Sequence, residues 1–415
     1  MNQTLFISFD LIREGEVHQS LAIASILACL KNNVKLQDKI IFHHLSINSH
    51  KFGNQTSDEI FYDYLKAYNF EKIDIIAISA YIWNEFLTNE LIFYIRKLGF
   101  KGKIILGGYQ ITYSEQKLLK TYYPKADIFV SSYAEKSLET LFLTENYLQP
   151  FWNESIDFSQ IPSPYLTNEL IVPFGAKMIR LETKRGCPYR CTFCAHRDLS
   201  FNKVYKHPLE KIFEEIDYIK NKQIKRVNIL DPIFNVGKDY LNVMSEINRV
   251  KPESTFTLQT RFENIKGEEG EKFLELCADG NYHLEFGLQT TNESESEIVN
   301  RKNDIEKIEQ SLNLLKEYNI SYEISLIYGL PTQTLDTFKA SIEFVEKRGC
   351  KTIKAYPLML LRGTELFEQR EKWGLKEDVM GEFSIPTVTS SNSFTKNDWL
   401  IMNDLASKLN ETGRI

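Results

Sequence analysis

The sequence has few cysteines, no excess of positive charge and no long apolar run. Six of its 415 residues are cysteine, and its 50 lysines and arginines face 56 aspartates and glutamates, giving a net charge of −6. This balance offers no general electrostatic reason to expect nucleic-acid binding. No apolar run is long enough to span a bilayer, and residues 1–7 lack the basic and apolar regions of a secretory signal. We therefore expect a cytoplasmic protein with no membrane segment and no nucleic-acid partner.

The rest of the composition is that of an ordinary globular protein. Hydrophobic residues make up 43% of the chain and charged residues 26%. The length is sufficient for two or three domains. The sequence has no repeat of solenoid length and no low-complexity segment, so we expect folded domains rather than a repeat array or a disordered chain.

Three of the cysteines, Cys187, Cys191 and Cys194, are spaced C-x3-C-x2-C directly after a strand-like stretch at 178–183. Clustered thiolates at the end of a strand can hold a soft metal centre. A structural zinc site normally takes a fourth ligand, but no second C-x2-C follows, and His196 would need a cramped loop. A [4Fe–4S] cluster fits better, because three thiolates can leave one iron open for a ligand outside the protein. A buried structural cluster remains the alternative, whereas disulfides lack a secretory context.

The sequence of residues 185–194, R-G-C-P-Y-R-C-T-F-C, resembles the radical S-adenosylmethionine (radical SAM) superfamily. The resemblance implies that the open iron binds the amino and carboxylate groups of S-adenosylmethionine. It implies that an electron from the cluster then cleaves the sulfonium and releases a 5′-deoxyadenosyl radical. It also implies an external electron donor, a flavodoxin or ferredoxin, and a contact between Phe193 and the adenine.

Residues 1–148 alternate strand and helix patterns in five βα units. Strands are predicted at 4–9, 39–45, 73–79, 103–108 and 127–130, and helices at 17–30, 57–68, 84–98 and 135–143. Such a pattern predicts a flavodoxin-like, doubly wound parallel sheet, in which ligands bind at the carboxyl ends of the strands. The residues predicted to lie along that rim are Ser79, Gly107, Gly108, Ser131 and Ser132.

This segment resembles the cobalamin-binding domain that precedes the radical SAM domain in one large subclass. The resemblance rests on the L-G-G end of the fourth strand, the A-D-I-F-V strand and the connection at 158–165. Two features depart from it, because no histidine follows Asp10 at the D-x-H-x-x-G spacing and residues 131–135 replace a G-E-G-E turn. A cobalamin fold that no longer binds the cofactor therefore stays open. The paired glycines either admit a flat ligand or only form a tight turn.

Residues 149–177 hold four prolines and no regular period, which predicts an extended linker. From residue 178 strands and helices alternate again, as in a partial (β/α)6 radical SAM barrel at 178–370, followed by a tail at 371–415 that covers it. The cysteine loop follows the first strand, so it lies at the C-terminal mouth of the barrel. Strands are predicted at 178–183, 226–230, 255–260, 283–288, 321–327 and 352–356, and helices at 209–221, 238–250, 267–278, 305–318 and 335–348.

The resemblance also implies roles for residues that end the next barrel strands. Asp231, after the second strand, is the candidate to hold the methionyl amine, with an ordinary cap or turn former as the alternative. Arg261, after the third strand, and Arg301, after the fourth, are the candidates for the methionyl carboxylate, which an arginine can bind in bidentate fashion.

The fourth and fifth barrel strands carry two further stretches that resemble the family. Glu285 and Gln289 lie in a sequence similar to E-x-G-x-Q-S, and they project to the same face because strand side chains alternate. The resemblance implies that they reach the ribose and amino-acid portions of S-adenosylmethionine. Gly329 lies in a turn similar to G-L-P-G-E-T, whose backbone faces the adenine; here residues 332–334 read T-Q-T.

The function implied is hydrogen abstraction from an unactivated carbon, chemistry that the cofactor supplies. If cobalamin binds, the expected reaction is C-methylation of a small molecule or peptide, as in natural-product biosynthesis. If it does not, the alternatives are dehydration, epimerisation, cyclisation or aminocarboxypropyl transfer. A non-catalytic metal-binding scaffold is the alternative of another class, and the polar strand ends argue against it. No side chain is identified as a general acid or base.

Overall fold

The computed structural model describes residues 2–17, 20–49, 56–196, 201, 203–380 and 385–412. The chain divides into two compact units. The first runs to Ala176, and the second begins at Lys177 and holds every later described residue except Phe201. Among the described residues, no helix has both the length and the apolarity that crossing a membrane requires.

The first unit is built on a six-stranded parallel sheet. Its strands are β1 (Asn2–Asp10), β2 (Ile40–Asn48), β3 (Ile75–Ser79), β4 (Lys103–Gly107), β5 (Ile128–Val130) and β6 (Phe151–Trp152). They lie in the order β2-β1-β3-β4-β5-β6. The first five follow the flavodoxin-like order, so the predicted doubly wound sheet is confirmed. Continuous apolar runs such as that of β3 form these strands because both faces of the sheet are covered.

The helices of the first unit lie on both faces of this sheet. They are α1 (Leu21–Asn32), α2 (Val34–Gln37), α3 (Ser57–Leu65), α4 (Glu85–Lys97), α5 (Tyr109–Thr112), α6 (Leu119–Tyr122) and α7 (Ala134–Thr144). One apolar cluster packs α3 and α4 against the sheet, and a second packs α1 and α7 against the other face. Helix α3 starts with a capping box, in which the side chains of Thr56 and Glu59 each accept from the other's backbone N–H. The helix predicted at 17–30 begins at Leu21, and residues 18 and 19 lie outside the described residues.

Part of the stretch predicted as an extended linker belongs to the first sheet. Strand β6 pairs with β5, and Ser131 N donates to Trp152 O at 2.9 Å. Trp152 is 5% exposed and packs in the α1–α7 core. A strand of two residues is too short to show a period in the sequence, so only its pairing identifies it.

The second unit contains an open parallel sheet in which each strand lies beside its predecessor. Its strands are β7 (Ile179–Leu181), β10 (Arg226–Ile229), β11 (Thr255–Thr260), β12 (Tyr282–Gln289), β13 (Ser321–Tyr328) and β14 (Ile353–Pro357). Two further antiparallel pairs are β8 (Lys184–Arg185) with β9 (Tyr205–Lys206), and β15 (Lys376–Met380) with β16 (Ile385–Ser390). The six parallel strands confirm the predicted partial (β/α)6 barrel.

Helices alternate with the strands of this barrel. They are α8 (Leu209–Asn221), α9 (Asp239–Val250), α10 (Gly267–Asp279), α11 (Glu293–Ile298), α12 (Ile305–Glu317), α13 (Leu335–Lys347), α14 (Glu365–Glu368) and α15 (Lys396–Thr412). The long helices carry apolar residues on one face, such as Ile212, Ile216 and Ile219 of α8. The short α11 was not expected from the sequence, because six residues carry no periodic signal.

The tail ends in α15, which packs against the last strands of the barrel. Trp399 is 1% exposed, and its ring centre lies 5.9 Å from that of Tyr328. Tyr328 Oη donates to Asn403 Oδ1 at 2.7 Å. Tyr328 therefore faces the helical layer and takes part in packing.

Candidate functional site

The cysteine loop begins where β7 ends. Cys187, Cys191 and Cys194 are all free thiols and partly buried, and Phe193 between them is partly buried as well. Gly186 has φ +86°, and a Cβ there would come within 2.5 Å of Lys203 O. The residue before the first cysteine must therefore be glycine, because both the backbone conformation and the space exclude a side chain.

The same loop is attached to α11 and α14. Thr192 N donates to Val299 O at 3.0 Å, and Thr192 Oγ1 donates to Ile298 O at 3.2 Å. Asn300 Nδ2 donates to the carbonyl of Arg190 at 2.8 Å. Leu366 N donates to Thr192 O at 2.9 Å. The position of the cysteines thus depends on residues more than a hundred positions later in the chain.

Asp231 lies beneath the start of this loop. Its Oδ1 accepts from the backbone N–H groups of Thr183 at 2.8 Å and Lys184 at 3.1 Å, and its Oδ2 accepts from Thr183 Oγ1. The side chain is 0% exposed, and burial raises the pKa of Asp231 to about 6. Both oxygens are used by the chain, so the structure places Asp231 as a support of the loop. The role in holding the methionyl amine that the resemblance implies for Asp231 stays a prediction.

Lys184 is a buried cation that sequence reasoning missed. Its Nζ donates to Phe234 O at 2.8 Å and to Val236 O at 2.9 Å. Burial lowers the pKa of Lys184 to about 8. Lys184 and Asp231 together connect β8 to the loop after β10. The burial of Lys184 could not be predicted, because a charged residue in a short polar run gives no sequence signal of it.

Two arginines lie beside the cysteines. Arg301 is 8% exposed, its Nη2 donates to Gly287 O, and its Nε is buried without a hydrogen-bond partner among the described residues. The guanidinium of Arg261 lies 3.9 Å from the ring centre of Tyr189, and its Nε donates to Glu263 at 3.1 Å. Burial raises the pKa of the Cys187 thiol, while the charges of both arginines act in the opposite direction. The structure therefore brings Arg261 and Arg301 to the cysteine loop, as the sequence predicts.

Glu285 and Gln289 face the same side of β12 but have different neighbours. Along β12 the residues alternate between buried and partly buried, and both lie in the partly buried set. Gln289 curls over Gly287 beside Arg301. Glu285 pairs in register with Glu323 of β13. Burial raises the pKa of Glu285, and the nearby Glu323 carboxylate raises it further. Gln289 therefore joins the cysteine side of the barrel, whereas Glu285 lies deeper along the strand.

The turn after β13 is shaped by Gly329, which has φ +91°. Its N–H donates to Gln333 Oε1 at 2.7 Å, and Leu330 N donates to the same oxygen at 3.2 Å. Gln333 is fully buried. The T-Q-T sequence that departs from the family pattern thus supplies the side chain that holds this turn.

A [4Fe–4S] cluster is compatible with these residues. Within the part of the chain that the structure describes, no three histidine, cysteine or acidic side chains converge as ligands of a single metal ion. An iron–sulfur cluster does not need such convergence, because each thiolate binds a different iron. Three thiols on one loop, and a buried arginine nitrogen without a hydrogen-bond partner among the described residues, form a donor set that suits the cluster and the carboxylate of a ligand beside it.

The rim residues of the first unit also lie together. Ser79 and Gly107 are partners in register, and Ser132 N donates to Thr112 Oγ1 at 3.0 Å. Ser131 is 2% exposed and hydrogen-bonded to β6 through its N–H. The two glycines differ. Gly108 has φ +98°, and a Cβ there would lie 2.7 Å from Ala80 O, whereas among the described residues a Cβ at Gly107 would meet only Val130, at 3.6 Å.

Aromatic side chains follow β3 and β4 at this rim, and sequence reasoning missed them. The rings of Tyr81 and Trp83 are stacked, with centres 4.6 Å apart and planes 4° apart. Tyr109 and Tyr113 lie 4.5 Å apart. The sequence signal was two aromatic stretches, Y-I-W at 81–83 shortly after β3 and Y-Q-I-T-Y at 109–113 shortly after β4. Aromatic rings beside Gly107, which has no side chain, suit a flat ligand.

His44 is hydrogen-bonded in the same unit. Its Nε2 lies 2.9 Å from Ser8 Oγ, which donates to Asp10 at 2.6 Å. Burial lowers the pKa of His44 to about 4. His44 is therefore a hydrogen-bonded histidine of the fold.

Known proteins resemble this chain in both sequence and fold. Residues 181–345 match the family model of the Radical SAM superfamily. An uncharacterized methyltransferase of Pyrococcus horikoshii, PH0819, is 26% identical over 180 residues, which are 42% of this chain and 37% of the relative. The cobalamin-dependent radical SAM methyltransferase TokK of Streptomyces tokunonensis is 21% identical over 339 residues, which are 73% of this chain and 50% of the relative. The chain thus spans half or less of the length of these two relatives.

A solved structure resembles nearly the whole chain. The radical S-adenosylmethionine methyltransferase TsrM from Kitasatospora setae, with cobalamin and a [4Fe–4S] cluster bound, superposes with a TM-score of 0.66 at 15% identity. The match covers 96% of this chain and 84% of that one. At this identity the likeness shows the fold, which is the predicted combination of a doubly wound sheet and a partial barrel. Together the matches confirm the predicted radical SAM resemblance and indicate an enzyme.

Proposed function

We propose, from the membership of residues 181–345 in the radical SAM superfamily, that this protein is a cobalamin-dependent radical SAM C-methyltransferase. Its substrate would be a small molecule or a peptide, and its electrons would come from a flavodoxin or ferredoxin. We assign cobalamin binding to residues 1–148, the chemistry to 178–370, the cover of the barrel to 371–415, and a connecting role to 149–177. We also propose that it acts in the cytoplasm.

The cysteine loop with its two buried arginines carries this proposal. Cys187, Cys191 and Cys194 would hold a [4Fe–4S] cluster and leave one iron open. Arg301, whose Nε is buried and unpaired among the described residues, would bind the carboxylate of S-adenosylmethionine with help from Arg261. When bound, cluster and S-adenosylmethionine would supply a 5′-deoxyadenosyl radical able to take hydrogen from an unactivated carbon.

The chain's other residues would orient the ligand and exclude water. The Gly329 turn would offer backbone to the adenine, and Phe193 would offer an aromatic face. Gln289 lies beside Arg301 and would reach the amino-acid portion. Glu285, deeper in the barrel, would face the ribose side or the substrate.

Cobalamin binding is supported by the rim of the first unit. Ser79, Gly107, Gly108, Ser131 and Ser132 line the carboxyl ends of β3, β4 and β5. The stacked pair Tyr81–Trp83 lies beside them. TokK and TsrM, whose names or structures include cobalamin, match 73% and 96% of this chain. When bound, cobalamin would supply a methyl group to the substrate radical.

Anaerobic reconstitution tests this proposal. Protein supplied with iron, sulfide and hydroxocobalamin and then desalted should show the iron–sulfur shoulder and retained corrinoid bands in its absorption spectrum. Reduction in the presence of S-adenosylmethionine should then release 5′-deoxyadenosine. Substituting Cys191→Ala should abolish the shoulder and the nucleoside, whereas Cys29→Ala, in α1 of the first unit, should leave both in place. A wild-type protein with zinc and no iron would refute the proposal.

A second candidate keeps the radical chemistry without cobalamin. Two features favour it: the absent D-x-H-x-x-G histidine after Asp10, and the hydrogen-bonded state of His44. The reaction would then be a dehydration, epimerisation, cyclisation or aminocarboxypropyl transfer. The shoulder without retained corrinoid would select this candidate.

A further inference from the structure

Two buried side chains connect two loops at the mouth of the barrel. Glu295 lies in α11, and Gln333 lies between β13 and α13. Both are 0% exposed. Gln333 Nε2 donates to Glu295 Oε2 at 3.2 Å. Because both groups are fully buried, water cannot replace either partner if it is lost. This hydrogen bond therefore affects the position of both loops.

The amide of Gln333 is held in one orientation. Its Oε1 accepts from Gly329 N at 2.7 Å and from Leu330 N at 3.2 Å. Its Nε2 donates to Ile327 O at 3.1 Å in addition to Glu295. Because two backbone N–H groups occupy the oxygen, the amide cannot turn over, and its nitrogen must face Glu295.

The carboxylate of Glu295 accepts two further hydrogen bonds. Thr290 Oγ1 donates to Oε2 at 2.6 Å, and Thr337 Oγ1 donates to Oε1 at 2.5 Å. All three partners are neutral, and burial raises the pKa of Glu295. The Glu295 carboxylate thus accepts from three donors, which are Thr290, Thr337 and Gln333. Replacing one of these donors by an acceptor would leave buried polar groups without a hydrogen bond.

The opposite end of α11 holds the cysteine loop. Ile298 O and Val299 O accept from Thr192, and Asn300 donates to Arg190 O. The six residues of α11 therefore join the Gly329 turn at one end to the cysteines at the other.

We propose that Glu295 and Gln333 are a positioning pair that sets the Gly329 turn relative to the cysteine loop and so controls the affinity for S-adenosylmethionine. This inference rests on the proposed function, in which the turn faces the adenine and the loop holds the cluster. The two side chains act through the backbone, because both are buried among protein groups.

Three variants test the pair through its donor and acceptor pattern. Gln333→Glu places a carboxylate oxygen against Glu295 and Ile327 O, and should weaken S-adenosylmethionine binding by about tenfold or more. Glu295→Gln alone should weaken it less, because hydroxyl groups can rotate. The double variant places a donor at 295 opposite an acceptor at 333, and should recover most of the affinity lost in Gln333→Glu, a non-additive result.

Two measurements separate this role from general damage. Equilibrium dialysis of reconstituted protein gives the dissociation constant for S-adenosylmethionine, with iron and sulfide content measured on the same samples and expected to stay unchanged. Hydrogen exchange of the full chain without cofactors reports the amides of Gly329 and Leu330, which should exchange about tenfold faster in Gln333→Glu. The matched control is Glu297→Gln, an exposed carboxylate on the same helix, which should change neither.

The outcomes are distinct. Wild-type affinity in Gln333→Glu, or no recovery in the double variant, would overturn the pair's role. If the wild type binds neither iron nor S-adenosylmethionine, the proposed function fails, and the claim on affinity fails with it. The exchange experiment then still decides whether the pair holds the turn, since unchanged exchange at Gly329 and Leu330 would refute that as well.

Discussion

His44 lies on the edge strand β2 in a half-buried polar cluster. Its ring contacts Ser8, which is hydrogen-bonded to Asp10, and Ser46 also donates to Asp10 at 2.6 Å. Burial holds the pKa of His44 near 4, with Asp10 acting to raise it and Lys31 to lower it. The histidine is therefore neutral in the folded protein under ordinary conditions.

This depressed pKa predicts a loss of stability in acid. The unfolded chain binds the proton more readily, so the contribution of His44 is complete above pH 6.5 and is lost as pH falls toward 4. The free energy of unfolding should fall by up to about 3 kcal/mol over this interval. Urea unfolding at several pH values should show a smaller fall in His44→Gln. The neighbouring His43→Gln should behave as the wild type, and an equal pH dependence in all three proteins would contradict the assignment.

Arg301 leads to a prediction about geometry rather than charge. Its fork donates to Gly287 O and leaves Nε buried without a partner among the described residues. Arg301→Lys keeps the charge but removes the planar fork, so affinity for S-adenosylmethionine should fall about tenfold. Iron content should stay at the wild-type level. Arg249→Lys, exposed on α9, is the control, and equal affinity in both variants would exclude a carboxylate role for Arg301.

At the scale of elements, the two glycines at the carboxyl end of β4 allow effects on folding and on ligand binding to be measured separately. Gly108→Ala places a Cβ 2.7 Å from Ala80 O at φ +98°, and should destabilise the protein by about 1–3 kcal/mol. Gly107→Ala fits the fold, because in the described part of the chain its Cβ meets only Val130 at 3.6 Å, yet it would narrow the rim where cobalamin is proposed to bind. Thermal melting should shift in the first variant, and corrinoid retention should fall in the second. Normal retention in Gly107→Ala would argue against a ligand at that spot.

The contact between α15 and the barrel gives a prediction for Tyr328. Its hydroxyl donates to Asn403, and the residue is 3% exposed. Tyr328→Phe should therefore cost about 1 kcal/mol in the free energy of unfolding, with release of 5′-deoxyadenosine unchanged. Loss of the nucleoside at normal stability would instead indicate a radical role for the tyrosine.

Regular elements were predictable because each depends on its own residues. The bounds of α8 and of strand β11 agree with the sequence prediction to the residue, since a long amphipathic helix and a strand that alternates polar and apolar residues each carry a clear period. Two short elements without a period of their own, β6 and α11, were missed. Strand β6 depends on its pairing with β5, and α11 depends on hydrogen bonds with Thr192 and Gln333, which lie far from it in sequence.

At the scale of the whole molecule, the proposed cofactors should stabilise the protein. A ligand that binds only the folded state adds about 2.7 kcal/mol at a concentration one hundred times its dissociation constant. The melting midpoint of reconstituted protein should therefore rise with S-adenosylmethionine, and separately with hydroxocobalamin. Cys194→Ala should lose the first response and keep the second. A midpoint independent of both ligands would contradict the cofactor proposal.

The sequence by itself determined the order of strands and helices, the two parallel sheets and the loop that carries the three cysteines. These follow from local patterns: apolar periods, turn residues and thiol spacing. Only the tertiary structure decided that Asp231 supports the loop, that Arg301 and Gln289 lie beside the cysteines while Glu285 lies deeper, and that Glu295 meets Gln333 across 38 residues. The reason is physical, because a buried polar side chain takes its role from its hydrogen-bond partner, and that partner comes near only when the chain has folded.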